Sequence, residues 1–463
     1  MSSYEVASLL VNLKRKASGP DGTPYWVFKQ FPYVFSDAIS MIFNRSFKTG
    51  CVPLCFKKAD VTPIPKRSNP SELSHFRPIS LLPTLSKVLE KLFLRKCLLP
   101  HISSQLHKSQ FAYRPGAGGG CCSALTLIQH KILNFLDHDS GAVRLMAVDF
   151  AKAFEKVTHV SIINACVDLQ VPDNTISWTL NFLSDRWQRV RVESEASSWK
   201  ACPSGVPQGS VLGPILFTMV MDSLQPLSEN TAVVKYADDV TFLHFVRSSS
   251  EDKLQSEWNH LTEWSEAHNL PLNTSKSRVM NVITRKNLTL CPIFYDSFSS
   301  LEEVNDLPLL GLTLSSDLKW NVHVNNIVKK ASKRFFVLYN LKRANSPPHI
   351  MWSVYCSVIR SCLLYAYPAF CNLPLYLKDK LHRVEKRALR IMAPCNLNSP
   401  TSIFEAGDRL CHGMFCAILS RKGHPLRELF DERDPGVTRA GQILKPPFAR
   451  TKRFKESFIK FAS

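Results

Sequence analysis

An α+β fold is predicted for this chain of 463 residues, and three observations predict it. Helix-spaced apolar residues dominate the two ends of the sequence, β-branched arms punctuated by Gly and Pro fill the middle, and two of those arms carry aspartates at their ends.

Val6 to Lys16 reads as a helix and is stopped by ASGPDGTP, Ala17 to Pro24, where Gly and Pro force a loop. A second helical stretch follows. In VTPIPKRSNPSELSHFRPISLLP two short β-prone pieces flank a polar, Pro-containing turn, which predicts a hairpin with Lys66 on one arm and Arg77 just after the turn. From Leu81, apolar residues recur at helical spacing to near Pro100. The glycine-rich YRPGAGGGCCSAL leads into another amphipathic helix through Leu136; lacking a Gly-Lys-Ser/Thr ending, it is not a phosphate loop.

RLMAVDFAKAFEKV predicts a short buried strand, Leu145 to Phe150, with Asp149 near its end and a helix soon after. AVVKYADDVTFLHF predicts a hairpin whose tip is Ala237-Asp238-Asp239, and CPSGVPQGSVLGPILF a Gly/Pro-punctuated loop followed by a helix. After Gly311 the character changes. Val324, Ile327, Val328, Ala331, Phe335 and Leu338 form one helical stripe, with Lys329, Lys330, Lys333 and Arg334 mostly elsewhere on the wheel. Two more helices are expected, about Ile350 to Tyr365 and Lys378 to Met392, the second rich in Lys and Arg.

A formal net charge of +20 attracts polyanions, and its spread along the chain favours a large lined nucleic-acid surface over a sticky arm. Irregular cysteine spacing implies reduced thiols. The pairs Cys51/Cys55, Cys121/Cys122 and Cys411/Cys416 make no recognisable zinc pattern, though His412 and His424 near the last pair leave a structural zinc open. No apolar run approaches the roughly 20 residues that cross a bilayer, so a soluble protein of nucleus or cytoplasm is expected, with no membrane partner.

The anomaly is three aspartates in otherwise apolar strands. Like charges brought together raise one another's pKa unless a cation neutralises them. Magnesium does so: it favours carboxylate oxygen and shares its remaining positions with substrate phosphates. Two such ions, about 3.5 to 4 Å apart, can activate an attacking hydroxyl and stabilise a leaving pyrophosphate.

The residues then carry a family resemblance. FRPISLLPTLSKVLEKL, QFAYRPG, VDFAKAFEKV, SGVPQGSVLGPILF, YADD, NTSKSRVM and LGLTLSSDLKW occur in the order of the reverse transcriptases of non-LTR retrotransposons, of the jockey and chicken-repeat type. The chain resembles that family over nearly its whole length. The resemblance implies a right-hand polymerase: an N-terminal extension and fingers over 1–145, a palm with an antiparallel sheet over 146–315, a helical thumb over 316–395 and a C-terminal helical segment over 396–463. It implies an RNA-directed DNA polymerase that adds deoxynucleoside triphosphates to a DNA primer on an RNA template, with two magnesium ions, or manganese in their place, on Asp149, Asp238 and Asp239.

By matched position the resemblance also gives Phe154 as an aromatic gate against the ribose 2′-hydroxyl and Gln208 as part of the loop along the incoming nucleotide. Lys66 and Arg77 match the hairpin that meets the triphosphate, and Lys276 a lysine that assists pyrophosphate departure. Leu310 and Gly311 match a primer-supporting turn, while Arg114 and the cations Lys329, Lys330, Lys333 and Arg334 fall to nucleic-acid contact. The sequence departs from the pattern at Glu155, where the family usually has aspartate, and in GAGGGCCSAL after YRPG. With no endonuclease before the polymerase, a fragment of an element or a domesticated copy is expected. A catalytically inactive nucleic-acid-binding relic and a group II intron maturase-like protein are the alternatives.

Overall fold

The computed structural model describes residues 1–114, 119–285, 288–392, 401–421, 423–432, 444–445 and 448–461. The chain folds into two compact units, each assembled from separated stretches of sequence. The first comprises Met1–His107, Phe150–Gln225 and Leu261–Leu272; the second comprises Lys108–Asp149, Pro226–His260 and Asn273–Ser463. Each combines helices with a mixed sheet, so the expected α+β class holds.

In the first unit the expected hairpin is present. Lys58–Pro65 pairs antiparallel with Phe76–Leu81, Ile64 facing Arg77, and Lys66 lies one residue beyond its strand. A strand the sequence reading missed, Trp187–Val192, pairs parallel to Lys58–Val61. All six of its residues are exposed or half-buried, so it lacks the apolar alternation that marks a strand. The core centres on Trp178, which stacks on Phe93 at 3.8 Å and donates its indole N–H to Ser46 Oγ at 3.0 Å.

The sheet of the second unit runs Glu302–Glu303, Arg278–Ile283, Ala142–Val148, Asp239–Val246, Thr231–Tyr236. The central strand is Ala142–Val148 rather than Leu145 to Phe150, and it is almost wholly buried. Its Arg144 is tolerable there because the guanidinium meets Asp252 Oδ2 at 2.5 Å, Asn281 Oδ1 at 3.1 Å and the Cys291 carbonyl at 2.7 Å. Helix Cys121–His138 and the helices after Trp320 pack into one apolar cluster with this sheet.

Three helix boundaries differ from expectation. The first helix spans Ser3–Val11 and stops short of Lys16. Asn12 bonds back to the Ser8 carbonyl at 2.8 Å, and the adjacent cations Lys14, Arg15 and Lys16 repel one another beyond it. The helix expected from Leu81 begins at Thr84, because Leu82 precedes a proline and is kept extended; a π turn, Leu94–Leu98, then carries it past Pro100 to Ile102. The single stripe from Val324 to Leu338 is two helices, Asn321–Lys333 and Phe335–Arg343, broken at Arg334. No helix among the described residues is long and apolar enough to cross a membrane.

Candidate active site

Val148 pairs with Val240 at the end of the central ladder, so the same register sets Asp149, the next residue, opposite Asp239. Asp239 opens the second arm of the expected hairpin and faces Tyr236 across the two-residue tip Ala237-Asp238. Ala237 is buried with φ +57, a conformation that strains an L side chain by about 1–2 kcal/mol. Buried Gln110 holds it there: its Oε1 accepts the Ala237 N–H at 3.2 Å and the Ala112 N–H at 3.0 Å. Strain at a tip that carries carboxylates is maintained by the surrounding structure rather than by the turn sequence.

Asp149 is oriented by the NTSKS turn. Asn273 Nδ2 donates to Asp149 Oδ2 at 3.0 Å, the Asp149 N–H donates to Ser277 Oγ at 3.2 Å, and Lys276 Nζ stands 3.6 Å from Asp149 Oδ2. The Asp239 carboxyl is pushed up to about 6, by the burial around it first and then by the charges of Asp238 and Asp149. Asp239 stays solvent-exposed as a residue, so water discounts the burial and the like charges weigh more. A cavity of about 410 Å³ is bounded by Asp149, Tyr236, Asp239, Lys276, Arg278 and Leu310.

Among the described residues no three His, Cys, Asp or Glu side chains converge tightly enough to hold a metal ion as they stand. The donor chemistry nevertheless suits one. Carboxylate oxygens are what magnesium selects, and a divalent cation would relieve the repulsion that raises Asp239.

The first unit holds Lys66, Arg77, Phe154 and Gln208. Lys66 and Arg77 are exposed, and Lys66 Nζ donates to the Ser74 carbonyl at 2.9 Å. The half-buried Phe154 ring stacks on buried Phe217 at 4.5 Å. The Gln208 loop is tied to its surroundings through backbone: Val206 N–H to the Phe154 carbonyl and Gly205 N–H to the Val157 carbonyl, both at 2.8 Å, and Ser80 N–H to the Gln208 carbonyl at 2.7 Å. Gly205 has φ +79, and a Cβ there would lie 2.6 Å from the Glu155 carbonyl oxygen, so only glycine fits. Glu90, missed in the sequence, anchors the far end of the loop. Its buried carboxylate accepts the N–H groups of Val211 at 2.6 Å and Leu212 at 3.1 Å, and burial raises its pKa.

In the second unit Leu310 and Gly311 form the tip of the hairpin Asp306–Leu309 and Leu312–Ser315. Lys329, Lys330 and Lys333 are exposed. Arg334 is half-buried at the helix break, its Nη1 donating to the Val358 carbonyl at 2.5 Å. Arg114 is half-buried. The second unit therefore brings Asp149, Asp238, Asp239 and Lys276 together with Leu310 beside them, while Arg114 and the helix cations lie outside the residues lining that cavity.

Residues 64–335 match the reverse transcriptase (RNA-dependent DNA polymerase) family. The RNA-directed DNA polymerase from mobile element jockey of Drosophila melanogaster is 26% identical over 407 residues, 83% of this chain and 43% of that protein. The probable RNA-directed DNA polymerase from transposon X-element of the same fly is 29% identical over 348 residues, 72% of this chain and 38% of that one. The chain thus spans about two-fifths of the length of these curated relatives. Apo telomerase from Candida tropicalis superposes over 86% of this chain and 72% of its own at 12% identity and a TM-score of 0.43, too distant a likeness to bear on the site. The family match covers more than half of the chain, and the protein belongs to the reverse transcriptase (RNA-dependent DNA polymerase) family, related to the enzymes of the jockey and X-element non-LTR retrotransposons.

Proposed function

We propose that this chain is an RNA-directed DNA polymerase, extending a DNA primer along an RNA template with deoxynucleoside triphosphates. The observation that carries the reading is the set of three aspartates gathered at one sheet end, with Asp239 raised by burial and then by its neighbours' charges. Asp149, Asp238 and Asp239 would hold two magnesium ions. When bound, such ions lower the pKa of the attacking hydroxyl and neutralise charge building on the phosphates.

The remaining roles belong to the chain's own side chains. Lys276, beside Asp149, supplies a cation for the departing pyrophosphate. Arg77 offers a planar fork and Lys66 a point charge to the triphosphate. Phe154 excludes the 2′-hydroxyl, Gln208 lies along the nucleotide, and the Leu310–Gly311 turn supports the primer. Arg114, with Lys329, Lys330 and Lys333, meets the nucleic-acid backbone. In the family's terms, fingers extend to 145, palm over 146–315 and thumb over 316–395.

Primer extension by the purified chain on an RNA template, with magnesium, tests the reading. Extension is expected, and Asp238→Asn is expected to abolish it with RNA binding close to the parent's. RNA binding without extension by the parent would make the chain a binding protein instead. Parental extension by Asp238→Asn would remove the metal assignment.

A further inference from the structure

The hairpin tip Leu310–Gly311 has positive φ at both residues, +46 and +85. Two-residue turns of this kind match the twist of their strands but favour Asn-Gly or Asp-Gly, since a larger side chain at the first position is strained. Leucine brings none of the local hydrogen bonding of asparagine. The compensation comes from 55 residues away: Tyr365 Oη donates to the Leu310 carbonyl oxygen at 2.7 Å. The same ring lies against Gly311, where a Cβ would stand 3.0 Å from Tyr365 Cε1. Ala366, with φ +54, turns the chain just after Tyr365. A phenol is a donor at working pH, and burial raises the pKa of this one further. Leu310 in turn borders the cavity that Asp149 and Asp239 line.

We propose that Tyr365 is a positioning residue for polymerisation: through its bond to Leu310 it fixes the Leu310–Gly311 turn, and with it the primer terminus, relative to the aspartates. The proposal rests on the polymerase reading above and on the turn as primer support. It gives the helical region after the hairpin a part in setting the primer end, with no contact to nucleotide.

Tyr365→Phe keeps the ring against Gly311 and removes only the hydroxyl. Amide exchange at 310–312 in the purified chain is expected to quicken about tenfold, as loss of one hydrogen bond gives, with other regions at parental rates. In primer extension kcat is expected to fall roughly three- to tenfold, while the KM for deoxynucleotide stays at the parent's. Parental exchange in the variant overturns the proposal, and so does quickened exchange with kcat unchanged. If the parent extends no primer, the polymerase reading fails on its own. Emission from 2-aminopurine at the 3′ end of a bound primer then tests the turn by itself: a difference between parent and Tyr365→Phe supports Tyr365 as the residue that positions the primer end, and identical emission overturns it.

Discussion

Asn273 is joined to Asp149 twice, by its side-chain amide to Oδ2 at 3.0 Å and by its backbone N–H to the Asp149 carbonyl at 2.8 Å. The backbone bond fixes the end of the central strand, and the side-chain bond fixes how the carboxylate is turned. Asn273→Ala keeps the first and removes the second, together with the bond that the exposed Ser275 hydroxyl donates to Asn273 Oδ1 at 2.8 Å. Its stability should stay near the parent's, while extension falls about tenfold and the apparent magnesium affinity weakens, as loss of a group orienting a metal ligand does. Extension measured across a magnesium titration checks this. A parental magnesium dependence would leave Asn273 with a structural role only.

The crowding at Asp239 predicts a trade between stability and metal binding. Without metal, three like charges oppose one another, so Asp239→Asn should raise the melting temperature by a few degrees, a gain moderated by solvent screening. Magnesium should stabilise the parent in proportion to its occupancy and the variant far less. Thermal unfolding with and without magnesium measures both effects. Equal magnesium shifts in the two proteins would place the ion elsewhere.

Much of this site was legible in the sequence because its signals are local. The tip at Ala237 to Asp239 stands between β-branched arms, Asp149 closes an apolar run, and the Gln208 loop is punctuated by Gly and Pro. What holds those pieces was not legible. Asn273 reaches Asp149 across 124 positions and Gln110 reaches Ala237 across 127, separations at which no periodicity operates. The break at Arg334 was missed because the apolar stripe continues through it, Phe335 and Leu338 being buried like Ala331 before them.

The helix Asn321–Lys333 buries Val324, Ile327 and Ala331 and leaves Lys329, Lys330 and Lys333 exposed. Replacing the three lysines by Gln should weaken template-primer binding and reduce the slope of log affinity against log salt by about 2 to 3 units, if each lysine meets one phosphate. Arg334 should behave differently, since its guanidinium serves the Val358 carbonyl. Arg334→Gln is expected to lower stability and leave the slope alone. Binding titrations over a salt series separate the two, and an unchanged slope in the triple variant would make those lysines merely solvated.

On the same helix, buried His323 accepts the Thr313 N–H at 3.3 Å, and burial pushes its pKa down to about 4. The unfolded chain, with an ordinary value of 6.5, binds the proton more tightly. The stability contributed by neutral His323 is therefore full above pH 6.5 and lost as pH falls towards 4, by up to about 3 kcal/mol. His323→Asn should flatten that acid limb. Denaturant unfolding at pH 7.5, 6 and 5 measures it, and parallel curves for parent and variant would exclude His323 as the cause.

Phe154 and Phe217 stack with centroids 4.5 Å apart and ring planes inclined by 24°. Phe217 is fully buried on helix Gly213–Asp222 and Phe154 only half-buried, so the pair has a fixed base and an accessible ring. A ring held this firmly cannot yield to an added hydroxyl, and overlap with a ribose should cost about 1–3 kcal/mol. At about 1.4 kcal/mol per tenfold, that is discrimination of order ten- to a hundredfold. Phe154→Ala is expected to raise ribonucleotide incorporation relative to deoxynucleotide by this factor, with extension by deoxynucleotides only moderately reduced. Removing the ring also strips Phe217 of a packing partner, so some stability should be lost, and the ratio of kcat/KM values is the proper measurement because a smaller folded fraction cancels from it. A packing role alone would reduce both sugars alike and leave the ratio where the parent has it. Phe154→Tyr, which keeps the stacked ring, should retain the parental ratio, and a shifted ratio in that variant would argue against a steric gate.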